Sequence, residues 1–206
     1  MSAAVDTFDV AIVGLGPTGL TLAHVAAGIV PVMGVGYLAH HAIKTYLFSP
    51  GTVIIGLIVG GLFMLFAEKS HMRIRCNDVE TMTVGQAFIV GAFQILALWP
   101  GFSRSGSTIA GGLLMGLSRK TAADFSFIIA VPVMIVACFY DLLKNLANLN
   151  GNDLVMIIIG FVVAFVVAYM SVLWFLKFLN KSTLASFAYY RFVVALVSFI
   201  HFFILS

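Results

Sequence analysis

Long apolar runs with almost no charge are the feature that most restricts how this chain can fold. They cover residues 52–67, 84–99, 121–143, 153–176 and 184–205. A helix needs about 20 apolar residues to cross the hydrocarbon core of a bilayer, and several of these runs approach that length. None alternates apolar and polar residues as the strands of a membrane barrel do. The sequence therefore predicts an all-α, polytopic bundle of helices in a membrane.

The composition excludes an ordinary soluble domain. Of the 206 residues, 62% are hydrophobic and only 9% are charged, whereas a soluble domain carries about a quarter charged residues. The net charge of +3 is too small to indicate a nucleic-acid partner. The two cysteines, Cys76 and Cys138, have no metal-binding or redox spacing.

The first 27 residues differ from the rest of the chain. Residues 8–14 are strand-like, and residues 14–19 fit the G-x-G-x-x-G pattern of dinucleotide-binding turns. This opening resembles that of flavin-dependent monooxygenases. Such a fold also needs an acidic residue about 20 positions further on, and none lies between Asp9 and Glu68. We therefore interpret residues 1–27 as an unrelated stub, or as a glycine-rich lead into the first membrane helix, and expect neither flavin nor NAD.

Two of the apolar segments are too short to cross a bilayer alone. Residues 84–99 form a run of 16, residues 108–117 form a run of 10, and the polar turn at 100–106 joins them. Two half-length helices joined by a turn rich in glycine and proline predict a re-entrant hairpin. About five full crossings are expected in the rest of the chain.

The distribution of basic residues supports this hairpin. If it returns to its own side, three basic clusters share one face of the membrane, and only Lys44 and Lys144 lie opposite. If residues 84–99 cross fully, the bias nearly vanishes. Because cytoplasmic loops carry an excess of Lys and Arg, we expect the basic face to be cytoplasmic. Its seven basic residues are Lys69, Arg73, Arg75, Arg119, Lys120, Lys177 and Lys181.

The turn between the short runs carries the strongest functional signal. Arg104 and Gly106 lie there among four hydroxyl side chains, just before a helix. Polar groups at membrane depth are costly and mark functional sites. A guanidinium, hydroxyl donors and a helix N-terminus each suit a phosphate oxyanion. The chemistry alone leaves open an ordinary loop with helix caps and one snorkelling arginine.

A family resemblance favours the phosphate site. Residues 86–109, with Pro-Gly-Phe-Ser-Arg-Ser-Gly at 100–106, resemble the second signature of the undecaprenyl-diphosphate phosphatases, the bacitracin-resistance family of bacterial membranes. The resemblance extends from residue 28 to the C-terminus. Further matching segments are residues 112–119, 125–132 and 187–192.

The resemblance implies a function and a set of site residues. The family hydrolyses undecaprenyl diphosphate to undecaprenyl phosphate and inorganic phosphate, which recycles the lipid carrier of peptidoglycan synthesis and confers bacitracin resistance. Carried over by position, Ser103, Arg104 and Thr108 match the family's diphosphate-binding or catalytic residues, and we predict catalytic roles for Ser103 and Arg104. Arg191, inside the last apolar run, is added as an intramembrane arginine, for which snorkelling is the alternative. The predicted diphosphate ligands are therefore Ser105, Gly106, Ser107, Thr108 and Arg191.

One departure from the family pattern bears on activity. Family members begin with another re-entrant segment, E-x-x-x-E followed by Pro-Ser-Ser-x-Gly-His, to which metal binding and part of the catalysis are attributed. That segment is absent here, so we interpret residues 28–206 as a membrane phosphatase domain without it. The alternative function is a catalytically impaired membrane protein that binds or transports a polyprenyl phosphate.

The resemblance also predicts the location, the cofactor and the partners of the protein. It implies a multi-pass protein of the bacterial plasma (inner) membrane and a divalent cation, Mg or Ca. The expected partners are a polyprenyl diphosphate lipid and the bilayer, with a homodimer left open and no nucleic acid.

Overall fold

Helices account for most of the residues described in the computed structural model, which are 19–70, 73–145, 151–179 and 183–204. Within these ranges there are two short 3-10 helices, at Val79–Thr81 and Gln94–Leu98, and no β-strand. The predicted all-α fold is confirmed. The α-helices are α1 (Gly19–Tyr46), α2 (Pro50–Lys69), α3 (Val84–Phe93), α4 (Arg104–Leu114), α5 (Arg119–Asn145), α6 (Gly151–Leu179) and α7 (Leu184–Phe203).

Five of these helices are long and apolar enough to cross a membrane. The spans are Leu22–Ala39, Pro50–Lys69, Arg119–Lys144, Val155–Phe175 and Leu184–Phe203. They belong to α1, α2, α5, α6 and α7 and agree with the five crossings expected from the sequence. The chain is a multi-pass membrane protein.

Side-chain capping explains where α2 and α3 begin. Ser49 and Thr52 form a reciprocal capping box, with Pro50 at the first helical position of α2, as expected for a residue without an N–H. Thr83 and Gln86 form the same box at the start of α3. Each box satisfies two backbone donors that the first turn would otherwise leave free.

The predicted re-entrant hairpin is present. At its open end the Gln86 side-chain amide donates to the Met115 carbonyl over 3.1 Å, and the Arg75 N–H donates to the Gly116 carbonyl over 2.7 Å. Both ends of the hairpin therefore lie on one side of the bundle. The predicted bounds of the second arm were wrong. It runs from Arg104 to Leu114 rather than over 108–117, because the Ser103 hydroxyl caps the helix by accepting from the Gly106 N–H.

Contacts at the same end bring the basic clusters together. Arg119 forms an ion pair with Glu68, and the other Glu68 oxygen accepts from the Leu184 N–H over 3.4 Å. The end of α2 and the starts of α5 and α7 thus share the face on which the hairpin closes. The predicted common face is confirmed for these elements, whereas Lys181 lies outside the described residues. Its cytoplasmic orientation stays a prediction.

Helix α1 is held by glycines that allow close backbone contact. A Cβ atom on Gly91 would lie 2.7 Å from the Gly28 Cα, so α1 and α3 meet with no side chain between them. α1 runs without a break from Gly19 through the boundary predicted at residue 28. The last glycine of the dinucleotide-like motif, Gly19, is the first residue of α1, and the rest of the motif lies outside the described residues. The division into stub and domain stays a prediction.

Candidate functional site

The tip of the hairpin borders a cavity of about 440 Å³ between α2, α4, α6 and α7. Its wall has polar residues at the hairpin tip, in the first turn of α4 and on α7, and apolar residues on all four helices. The polar part comprises Gly101, Ser103, Ser105, Gly106 and Arg191, and the apolar part comprises Leu57, Met64, Ile109, Phe175, Leu184, Phe187 and Tyr190. A wall divided in this way suits a ligand with a polar head and an apolar tail.

Ser103 has the most unusual backbone at the tip. Its φ of 73° makes it the only residue other than glycine with a positive φ in the described ranges. Such a conformation costs about 1–3 kcal/mol and persists only where the surrounding structure imposes it. Ser103 is also the N-cap of α4, and its hydroxyl oxygen accepts from the Gly106 N–H over 3.2 Å. One residue thus both closes the turn and faces the cavity.

The first turn of α4 provides anion-binding groups. The N–H groups of Arg104 and Ser105 have no acceptor within the helix, since the first turn of any helix leaves its donors unpaired. The positive end of the helix dipole lies at the same place and favours a bound anion. Ser105 and Gly106, two of the predicted ligands, line the cavity beside it. A phosphate group at this end of the cavity would meet hydroxyls and backbone donors together.

Ser107 and Thr108 are turned away from the cavity. Both are fully buried, and neither belongs to its wall. The Ser107 hydroxyl donates to the Arg104 carbonyl over 2.9 Å. The Thr108 hydroxyl lies 2.5 Å from that of Ser126 on α5. As placed, these two side chains fix the hairpin to itself and to α5, and their predicted contact with a diphosphate stays a prediction.

Arg104 is not a wall residue, but it retains an unused donor. Its Nη1 atom is buried and has no hydrogen-bond partner among the described residues. A buried donor without an acceptor is costly, and a guanidinium pairs strongly with a phosphate oxygen. Its position directly after the cap residue keeps it adjacent to Ser103. This geometry agrees with the anion-binding role predicted for Arg104, which stays a prediction.

Arg191 reaches the cavity wall from α7 and uses most of its donors on the protein. Nη1 donates to the Phe102 carbonyl over 2.7 Å, and Nη2 donates to the carbonyls of Gly56 and Gly101. Nε completes the set with the Leu57 carbonyl at 3.3 Å. A guanidinium has five N–H donors, so one, on Nη1, is left for a ligand. The side chain does not snorkel to the surface, since it is only 6% exposed.

Sequence reasoning missed the aromatic part of the wall. The Phe175 ring lies 5.3 Å from the Phe187 ring and 5.7 Å from that of Phe127, the latter edge-on. Phe187 lies in one of the segments that carried the family resemblance, a signal that could have identified it. Phe175 is one apolar residue in a long apolar run, and its sequence neighbours give no such signal.

The cavity wall does not fit the divalent cation implied by the family resemblance. Mg and Ca take oxygen ligands, chiefly carboxylates, and the wall residues given above offer hydroxyls, N–H groups and a guanidinium. The described residues also contain no group of three or more His, Cys, Asp or Glu side chains placed to hold a metal.

Comparisons with known proteins find a matching family and similar proteins. The sequence profile of the family described as "Bacitracin resistance protein BacA" matches residues 10–197. Proteins named "Undecaprenyl-diphosphatase 1" from Bacillus thuringiensis (strain Al Hakam), Bacillus anthracis and Bacillus cereus are each 47% identical over 174 residues. The alignments cover 84% of this chain and 66% of each relative. The chain thus spans about two thirds of the length of these relatives.

Proposed function

Because the chain belongs to the bacitracin resistance protein BacA family, we propose that it binds undecaprenyl diphosphate in this cavity and hydrolyses it. The products are undecaprenyl phosphate and inorganic phosphate, which would recycle the carrier lipid of peptidoglycan synthesis at the bacterial inner membrane and confer bacitracin resistance. The proposal is supported by the presence of both a polar part and an apolar part in the cavity wall. An anion-binding helix N-terminus forms one end, and aromatic and aliphatic side chains form the rest.

The polar end accounts for the reacting group. The terminal phosphate lies at the N-terminus of α4, where the Arg104 and Ser105 N–H groups and the Arg104 guanidinium oppose its negative charge. The Ser103 hydroxyl, on the cavity side of the cap, attacks the terminal phosphorus. The bond from that phosphorus to the bridging oxygen breaks, and the oxygen leaves with undecaprenyl phosphate, which takes up the proton lost by the serine hydroxyl. Water then releases inorganic phosphate from the serine.

The apolar end accounts for the lipid. Phe175 and Phe187 belong to the same cavity wall as the polar hairpin residues, and aromatic side chains of this size bury a large apolar area. The isoprene units nearest the diphosphate would pack against these rings. A soluble diphosphate would leave this wall exposed to water, so the cavity favours a lipid substrate.

A second candidate is supported by the chemistry of the polar wall. Its hydroxyls, N–H groups and guanidinium bind an anion directly, whereas attack by Ser103 also needs an acceptor for the hydroxyl proton. Binding without turnover is therefore the alternative, as in a catalytically impaired protein that binds or transports a polyprenyl phosphate.

Phosphate release from undecaprenyl diphosphate by the purified chain tests the proposal. We expect Ser103→Ala and Arg104→Ala each to lower kcat by about 100-fold or more. Ser171→Ala on the exposed face of α6 and Arg73→Ala in the exposed loop are the matched controls. Turnover that is unchanged in both site variants would contradict the assignment, and lipid binding without any phosphate release would favour the second candidate.

The aromatic wall has its own test. Phe187→Ala should raise KM for undecaprenyl diphosphate by roughly 10-fold, because it removes apolar contact area with the lipid. Phe161→Ala, on a residue of α6 that is 71% exposed, should leave KM unchanged. Equal changes in KM for the two variants would mean that the lipid does not contact this wall.

A further inference from the structure

The turn at the hairpin tip leaves backbone carbonyls in the interior of the bundle. Gly101 and Ser103 have φ angles of 89° and 73°, so the chain is not helical at the tip, and the carbonyls of Gly101 and Phe102 accept no helical hydrogen bond. A buried carbonyl without a donor is costly, and within a bilayer such irregular backbone is tolerated only where the protein surrounds it. The tip therefore needs donors from elsewhere in the fold.

Arg191 is the principal source of those donors. It joins the Gly101 and Phe102 carbonyls of the tip to the Gly56 and Leu57 carbonyls of α2. The guanidinium is thus a bridge between two backbone segments that lie far apart in sequence. A point charge such as a lysine ammonium has no planar fork that could reach both segments.

The bridge depends on glycines of α2. A Cβ atom on Gly60 would lie 2.6 Å from the Phe102 oxygen and closer still to Nη2 of Arg191. A Cβ atom on Gly56 would lie 2.5 Å from the Pro100 oxygen. Trp99 lies at the same contact, with ring atoms 3.3 Å from such an atom, and its ring N–H donates to the Thr52 carbonyl over 2.9 Å. The tip can approach α2 only because these two positions lack side chains.

We infer that Gly56, Gly60 and Arg191 form a clamp that holds the tip in the conformation in which Ser103 and Ser105 face the cavity. Gly60 is then a positioning residue, which acts through Arg191 and Phe102 without touching the substrate. Arg191 acts mainly in the same way, because four of its five donors are used on the protein. This inference rests on the proposed function, since positioning matters only if the hairpin holds the diphosphate.

Cysteine labelling tests the clamp without any need for activity. The background is Ser105→Cys with Cys138→Ser, because Cys138 is the exposed cysteine and Cys76 is buried. The measurement is the rate at which a small methanethiosulfonate reagent modifies Cys at position 105. We expect Gly60→Ala to change this rate several-fold. Gly34→Ala, at a glycine with nothing within 4 Å, should leave the rate unchanged.

Kinetics separate positioning from substrate binding. In the chain with its native Ser105, Gly60→Ala should lower kcat by roughly 10–100-fold with little change in KM, since misplacing a reacting group by about 1 Å can cost that much. A rise in KM with unchanged kcat would place Gly60 in substrate binding and overturn the clamp. Unchanged labelling and unchanged kcat would overturn it as well.

A second variant covers the case in which Gly60→Ala does not fold. Arg191→Lys keeps the positive charge but loses the fork, so the clamp predicts the same change in labelling and kcat. Wild-type labelling and kcat in this variant would overturn the inference. If the wild-type chain releases no phosphate while both variants alter labelling, the clamp stands and the proposed hydrolysis fails.

Discussion

Helices α2 and α6 are both long, apolar and suited to crossing a membrane, yet they differ completely in packing. A third of the α2 span is buried inside the protein, whereas none of the Val155–Phe175 span of α6 is. The buried residues of α2 include three glycines, Gly56, Gly60 and Gly61. On α6, Gly160 has nothing within 4 Å.

This difference shows that apolar character explains why a helix enters the membrane but not how closely it packs against other helices. Lipid tails are as apolar as the side chains of these helices. Hydrophobicity therefore favours insertion of both helices into the bilayer but does not favour their packing against other helices. Pairing needs small residues, which allow close backbone contact, and polar groups that have no other partner. α2 offers glycines to the hairpin tip and carbonyls to Arg191, and the candidate site lies beside it.

The largest effect on stability is expected where two backbones meet. Gly91→Ala would place a methyl group against the backbone of Gly28, and backbone cannot move aside as a flexible side chain can. We expect a loss of about 3 kcal/mol, measured as a lower Tm of the detergent-purified protein. An unchanged Tm would mean that α1 does not pack on α3 as described.

A smaller loss is expected from the buried hydroxyl pair. Thr108→Val conserves shape but leaves the Ser126 hydroxyl, which is fully buried, without its partner at 2.5 Å. The expected cost is about 1–2 kcal/mol, and most of it should return in the double variant Thr108→Val, Ser126→Ala, where no hydroxyl is left unpaired. A selective rise in KM, with Tm unchanged, would instead make Thr108 a substrate ligand.

The smallest effect, and one of opposite sign, is expected on α6. Gly160→Ala adds a methyl group in open space and replaces a poor helix former, so stability should rise by about 0.5–1 kcal/mol at most. Thermal unfolding beside Gly91→Ala measures the contrast directly. A large loss of stability would show that α6 is packed against something at this position.

The sequence predicted features that depend on neighbouring residues. The hairpin followed from the lengths of two apolar runs and the polar turn between them. Because the start of α4 was predicted too far along the chain, the sequence did not predict which residues of α4 face the cavity. With α4 beginning at Arg104, Ser105 faces the cavity, and a 3.6-residue period places Ser107 on the opposite side of the helix. Thr108 lies one turn from Ser105, and its hydroxyl is paired with that of Ser126 on α5.

Long-range contacts were beyond the reach of the sequence. Arg191 was predicted to bind diphosphate because it is an intramembrane arginine, but its partners include the Phe102 carbonyl, 89 residues away along the chain. Every residue type has a backbone carbonyl, so the sequence does not show which carbonyls accept from Arg191. It therefore does not distinguish a clamp role of Arg191 from a role as a ligand of the diphosphate. Gly60 is likewise one glycine in an apolar helix until its neighbours are known.

Substrate protection of the labelled cysteine tests the central claim most directly. In the Ser105→Cys, Cys138→Ser background, undecaprenyl diphosphate should slow modification at position 105 in a saturable way. Undecaprenol, which has the same chain without phosphates, should protect far less, because the helix N-terminus and hydroxyls bind the anionic head. Equal labelling rates with and without saturating undecaprenyl diphosphate would contradict the account, since they would place the diphosphate outside this cavity.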